Sequence, residues 1–145
     1  EHPNIVAVKD AKSDLFASSQ VMSRTDLAFY SGDDMINLPW FSIGGVGVVS
    51  VIGHVAGGRL RAMLDAHERG DVVAAREIHR DLLPVCAAFG RLGGVIFSKT
   101  ALRLRGLPVG EPRLPIPSAT PAERDALAAT LRSAGLDLVE EAVAQ

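Results

Sequence analysis

Asn4-Ile5-Val6-Ala7-Val8-Lys9-Asp10 is the stretch that decides the fold. It is a short, β-branched apolar run without strict alternation, which is how a strand covered on both faces reads, and it stops at charge. Downstream, Ser13 to Arg24 places Leu15, Phe16, Val21 and Met22 at roughly helical spacing, with Ser13 or Asp10 available as N-cap. Leu27 to Ser31 repeats the strand signal and halts at Gly32-Asp33-Asp34; Met35 to Ile43 then supplies a brief helix around Leu38, Trp40 and Phe41. Gly45 to Val51 is a third strand, its glycines permitting close approach of neighbouring backbone, and Val55 to Arg69 is the helix after it. Strand-helix units joined by such short connections require right-handed crossovers and a parallel sheet, so the class is α/β.

Beyond Asp71 the pattern is helical only. Gly70 is a helix stop and Asp71 the next N-cap, and Ala74, Ile78, Leu82, Val85 and Phe89 form one apolar stripe, with Pro84 expected to kink that helix. Val95 to Leu104 reads as another helix. Gly106 to Pro117, with four prolines, reads as an extended surface connection. Thr120-Pro121-Ala122-Glu123 combines an N-cap, a proline at the first helical position and a capping-box glutamate, ahead of Leu127, Leu131 and Leu136, with Gly135 near the end. The expected organisation is a strand-helix domain over 1–69 and a helical domain over 70–145.

Composition bounds the function classes. With 48% hydrophobic and 22% charged residues over 145 positions, the chain falls among globular proteins able to bury a core without staples. The net charge of -2, with no basic stretch interleaved with aromatics, lacks the electrostatic footprint of a nucleic-acid binder. The longest weakly charged run, Met35 to Gly58, is broken by Pro39 and six glycines, so no membrane span and a cytoplasmic setting are expected. The lone cysteine, Cys86, sits among apolar neighbours and reads as packing. Glu1-His2-Pro3-Asn4 runs straight into a strand, which reads as a beginning in mid-fold.

Chemistry in parallel α/β sheets gathers at the carboxyl ends of the strands. Those ends are Lys9-Asp10, Ser31-Gly32-Asp33-Asp34 and Val48-Val49-Ser50. A lysine following Ile5-Val6-Ala7-Val8 would hold its amine near an apolar interior, where desolvation favours the neutral form that attacks carbonyls. The bland alternative is a solvated lysine, or an ion pair with Asp10 or Asp34. Gly32 lets a substrate approach the backbone, while Asp33 and Asp34 read as caps of the helix that follows. Two adjacent aspartates are a weak metal signal, with no histidine at ligand spacing, and no metal is expected. His54, His67 and His79 read as surface or packing residues. Lys99, Arg103 and Arg105 form a modest basic face near a helix end, and Trp40 reads as core or a subunit contact.

Val6-Ala7-Val8-Lys9-Asp10-Ala11, Tyr30-Ser31-Gly32-Asp33-Asp34 and Gly45-Val46-Gly47-Val48-Val49-Ser50-Val51, in that order and spacing, resemble the dihydrodipicolinate synthase family of pyruvate-dependent aldolases. Ser98-Lys99 and Gly110-Glu111-Pro112-Arg113-Leu114-Pro115 extend the resemblance through the tail. It implies the last three units of a (β/α)8 TIM barrel followed by an all-helical C-terminal domain. It also implies that Lys9 forms an imine with pyruvate, that the Val49 backbone carbonyl faces that imine, and that Gly32 lines the site beside the lysine. The reaction so implied condenses pyruvate with L-aspartate semialdehyde on the route to diaminopimelate and lysine, with no cofactor beyond the imine and with a tetramer as the common assembly.

The resemblance also implies an N-terminal half of the barrel that this chain does not contain, carrying the carboxylate-binding, proton-relay and aldehyde-holding residues. The chain alone is therefore expected to be inactive, since three strands cannot close a barrel and a cut sheet has two unpaired edges. Two competing readings remain open at this point. One is a related enzyme, an N-acetylneuraminate lyase or a 2-keto-3-deoxy sugar acid aldolase. The other is a non-catalytic, doubly wound binding module, which should return to further strands after the third unit.

Overall fold

The computed structural model describes residues 2–139. Three parallel strands, β1 (Ala7–Asp10), β2 (Ala28–Ser31) and β3 (Gly47–Val48), form a sheet in the order β1-β2-β3. Helix α1 (Leu15–Met22) connects the first pair; a 3-10 turn (Asp34–Ile36) and α2 (Asn37–Ser42) connect the second. Helices α3 (Gly53–Glu68), α4 (Val72–Leu92), α5 (Gly94–Leu104) and α6 (Pro121–Ser133) follow, with no further strand among the described residues. The chain is thus α/β, the architecture expected of part of a strand-helix barrel continued by helices.

Register sets what each face carries. Lys9 pairs with Tyr30 and Tyr30 with Gly47, while Asp10 pairs with Ser31 and Ser31 with Val48. Side chains alternate along a strand, so Lys9, Tyr30 and Gly47 share one face and Asp10, Ser31 and Val48 the other. The second face meets the helices: Phe29 and Ser31 are buried and Val8 and Val48 pack against the core. The first face is open. β1 alternates exposed and half-buried residues, with Ala7 and Lys9 exposed. The expectation of a strand covered on both faces is therefore corrected: the helices cover a single face, and β1 and β3 are the two edges of the sheet.

Several boundaries move for identifiable reasons. α1 is capped by Asp14, which accepts from the Ala17 N–H at 2.9 Å, rather than by Ser13 or Asp10. Ser13 has φ of 61°, and its hydroxyl donates instead to the Asp33 carboxylate. Of the expected apolar face of α1, Leu15 and Met22 pack on the core, but Phe16 and Val21 are exposed. β3 is cut to two residues because the Asp34 carboxylate captures the Val51 and Ile52 N–H groups, turning the chain into α3. α4 runs through Pro84 as one helix of 21 residues, and in α3 Ala56 departs from helical geometry (φ -120°, ψ 19°).

One hydrophobic core joins the sheet to the helices. Trp40, Ile52, Val85, Phe97 and Leu131, all fully buried, come from α2, the start of α3, α4, α5 and α6. Each such side chain contributes roughly 1.5–3 kcal/mol on leaving water. The stripe on α4 faces this core through Leu82 and Val85. The ends form as the sequence predicts: Gly70 with φ of 76°, Asp71 accepting from Ala74 at 3.0 Å, and the Thr120–Glu123 capping box. From Gly106 to Pro117 the chain forms no helix or strand, as expected.

Candidate active site

The carboxyl ends of all three strands meet on one side, and the open face brings Lys9 there. Its amine has no hydrogen-bond or ion-pair partner among the described residues. Both aspartates that a bland ion pair would need are engaged elsewhere. Asp10 accepts from the Ser18 hydroxyl and the Lys12 N–H, each at 2.8 Å. Asp34 accepts from Val51 N–H at 2.8 Å, Ile52 N–H at 3.0 Å, Asn37 Nδ2 at 3.1 Å and the Ser50 hydroxyl. Lys9 is exposed rather than set near an apolar interior, because the face it shares with Tyr30 and Gly47 is uncovered.

Gly32 prolongs β2, its N–H bonding to the Asp10 carbonyl at 2.7 Å. A Cβ at Gly32 would stand 2.7 Å from Cε of Lys9 and 2.8 Å from Cβ of Ala11, so the lysine side chain lies along the glycine backbone. Val49 prolongs β3, donating its N–H to the Ser31 carbonyl at 2.8 Å, two residues beyond Gly47 and hence on the Lys9 face. The three residues singled out from sequence therefore end adjacent strands. What sequence reading missed is Tyr30, cross-strand neighbour of Lys9, whose ring covers Gly47 closely enough that a Cβ there would meet Cε1 at 2.9 Å. The β2 register would have revealed it, once Lys9 and Tyr30 were aligned.

Asp33 caps the 3-10 turn through the Met35 N–H at 3.0 Å, as expected, but Asp34 does not cap the helix that follows it. It binds the start of α3 instead. Cys86 is buried and donates to the Asp34 backbone carbonyl at 3.6 Å; burial first, then the charges of Asp34 and Asp33, push its thiol up to about 11. His67 packs on Phe41 with ring centroids 5.8 Å apart. The expected basic face is dispersed: Lys99 donates to Val109 O at 2.8 Å, Arg105 to Val55 O at 3.1 Å, and Arg103 pairs with Glu111.

The larger clefts lie elsewhere. One of about 670 Å³ is at the amino end of the sheet, between Ile5, Val6 and Leu27; another of about 490 Å³ runs along β3, beside Tyr30, Gly47 and Leu60. Neither is lined by Lys9. No group of three or more metal-ligating side chains occurs among the described residues, and no helix there is long and apolar enough to cross a membrane.

A parallel α/β sheet with an unpaired amine at a strand end, continued by helices, is the class these features define. The chain belongs to the dihydrodipicolinate synthetase family, whose profile matches residues 1–134. It is 53% identical over 135 residues to a 4-hydroxy-tetrahydrodipicolinate synthase of Mycolicibacterium paratuberculosis, a match covering 93% of this chain and 45% of that protein. The dihydrodipicolinate synthase of Cyanidioschyzon merolae, solved with lysine bound, superposes with a TM-score of 0.87 at 38% identity, over 92% of this chain and 46% of that one. The Aquifex aeolicus enzyme gives a TM-score of 0.89 at 30% identity, covering 97% and 48% respectively. The chain thus spans about half the length of these relatives.

Proposed function

We propose that this chain is the C-terminal half of a lyase that condenses pyruvate with L-aspartate semialdehyde to 4-hydroxy-tetrahydrodipicolinate, a step toward diaminopimelate and lysine. The observation that carries the reading is Lys9, unpaired at a strand end against Gly32, in a chain 53% identical to a synthase of that name. The Lys9 amine attacks the C2 carbonyl of pyruvate through its nitrogen lone pair, and loss of water leaves an imine. The imine draws electrons from C3, so that a C3 proton can leave and the resulting enamine can attack the aldehyde carbon. Hydrolysis or ring closure then frees the amine. The imine serves as the electron sink, and the reading assigns no separate cofactor.

In this reading residues 1–69 belong to a (β/α)8 TIM barrel and 70–145 to a helical C-terminal domain, residues 1 and 140–145 of these spans lying outside the described residues. The Val49 carbonyl and Gly32 form walls beside the imine. An N-terminal half supplies the remaining strands, covering the edges of β1 and β3 that would otherwise attract other chains. The complete enzyme is a cytoplasmic homotetramer.

The test joins this chain to the N-terminal portion of the M. paratuberculosis relative, adds pyruvate and borohydride, and maps the trapped mass. One reduced pyruvate on Lys9, and none in Lys9→Ala, supports the assignment. Pyruvate binding without label on Lys9 defeats it. Condensing activity with aspartate semialdehyde, absent from the 145-residue chain alone, tests the need for the complement.

A further inference from the structure

Asp34 does work that its position in the sequence conceals. Its side chain is buried, and each oxygen has two donors: Val51 N–H and Ile52 N–H on Oδ2, Asn37 Nδ2 and the Ser50 hydroxyl on Oδ1. Ser50 Oγ in turn accepts from the Gly53 N–H at 2.8 Å. The backbone carbonyl of Asp34 holds Cys86 of α4. A carboxylate is suited to the first amides of a helix, where free N–H groups point outward. An ordinary cap, however, comes from the residue just before the helix. Here the donors lie 17 and 18 residues beyond the carboxylate, so it ties the end of one strand to the end of the next.

The end of β2 lies against Lys9, and the end of β3 lies on the far side of β2 in the order β1-β2-β3; the Schiff-base reading makes both of them walls of the imine site. Asp34 is two residues after Gly32, along which the lysine side chain lies, and Val51 is two residues after Val49. We propose that Asp34 is a positioning residue of the imine site: its carboxylate clamps the Ser50–Ile52 turn to the end of β2 and so fixes Val49 relative to Gly32, against which Lys9 lies on the other side. Asp34 touches no reacting atom and acts through these two walls. The inference rests on the Schiff-base reading above and deepens it. Small errors in such a wall are costly, since a displacement of the order of 1 Å costs about a hundredfold in rate.

The experiment uses the full chain joined to its N-terminal complement, as parent, Asp34→Asn and Ser50→Ala. Asp34→Asn preserves shape but removes the charge and replaces one of the two acceptor oxygens by an NH2, which must face one of the donor pairs; Ser50→Ala removes one donor of the four. Three quantities are read: amide exchange at Val51 and Ile52 without substrate, the rate of borohydride trapping of pyruvate on Lys9, and KM for pyruvate against kcat. In Asp34→Asn, exchange at both amides should accelerate, trapping should fall about tenfold or more, and KM should rise, with unfolding still cooperative.

Ser50→Ala should shift all three in the same direction by less, and it decides the matter if Asp34→Asn fails to fold. Trapping and KM within about twofold of the parent, with only the melting temperature lowered, would make Asp34 purely structural and overturn the proposal. Unchanged exchange at Val51 and Ile52 would overturn the clamp itself. A parent that shows no label on Lys9 brings down the Schiff-base reading instead, and the exchange measurement tells that failure apart from failure of the clamp.

Discussion

Gly32 and Lys9 lie so close that a methyl group on the glycine would stand 2.7 Å from Cε of the lysine. The same methyl would meet Cβ of Ala11 at 2.8 Å and the Asp10 carbonyl at 3.1 Å. The lysine can swing aside, being exposed, but Ala11 and the backbone of β1 cannot do so without a shift. Gly32→Ala is therefore expected to displace the amine and to cost about 1–3 kcal/mol of stability through overcrowding. Borohydride trapping of pyruvate in the complemented protein should fall about tenfold or more. Trapping at the parental rate would show that the amine does not depend on this contact.

Trp40 and Gly45 make a second close pair, this one in the core. The indole is fully buried, its Nε1 donating weakly to the Phe29 carbonyl at 3.5 Å, and a Cβ on Gly45 would fall onto Cδ1 and Nε1 of the ring. The fully buried ring has no room to yield, so the half-buried backbone at Gly45 would have to shift. Gly45→Ala should destabilise by about 1–3 kcal/mol or more, visible as a lower denaturant midpoint with an unchanged slope. Trp40→Ala, which opens a cavity instead, should cost about 3–5 kcal/mol.

How much of this was legible in the sequence follows from which signals are local. The three strand-helix units, the helical tail and the Thr120 capping box rest on periodicity and on residues a few positions apart, and they were readable. The strand ends bearing Lys9, Gly32 and Val49 were legible for the same reason. Asp33 caps as its position suggested, but the role of Asp34 was not legible, because adjacent aspartates are indistinguishable as caps until the fold brings the start of α3 beside one of them. The shortness of β3 follows from that long-range bond. The open face of β1 was misjudged because an apolar run reports only that a strand is made to be covered, and the covering can come from residues far off in sequence.

Cys86 offers a pH-dependent test of the core around Asp34. Its thiol is buried and pushed up to about 11, first by burial and then by the carboxylates of Asp34 and Asp33. Only the thiolate reacts with disulfide or haloacetamide reagents, so native protein at neutral pH should label very slowly and unfolded protein readily. The linkage has a definite sign. The folded state holds the thiol proton more tightly than the unfolded chain, so the stability arising from this group is present below the ordinary thiol pKa. It is lost as pH rises from there to about 11. Cys86→Ala should remove that alkaline slope. Rapid native labelling would show that the α4 packing opens on its own.

The capping box of α6 makes the opposite prediction, at acid pH. The Thr120 hydroxyl accepts from the Glu123 N–H at 3.3 Å, while the Glu123 carboxylate accepts from the Thr120 N–H and hydroxyl, each at 2.8 Å. These bonds, the backbone one first, hold the Glu123 carboxyl below the ordinary glutamate range. A depressed carboxyl binds its proton less readily in the folded state, so its contribution is present above the unfolded pKa and is lost as pH falls through the folded value. Thr120→Ala removes the acceptor for an orphan N–H and should cost about 1 kcal/mol. It should also move the Glu123 titration part of the way up toward the ordinary range, since the hydroxyl bond is lost while the backbone N–H bond stays; carboxyl NMR resonances would report the shift. Because Leu127 and Leu131 of the same helix are buried in the common core, the loss should lower the melting temperature of the whole chain rather than fray α6 alone. A titration of Glu123 unmoved by Thr120→Ala would show that the Thr120 hydroxyl adds nothing to the backbone N–H bond that alanine retains.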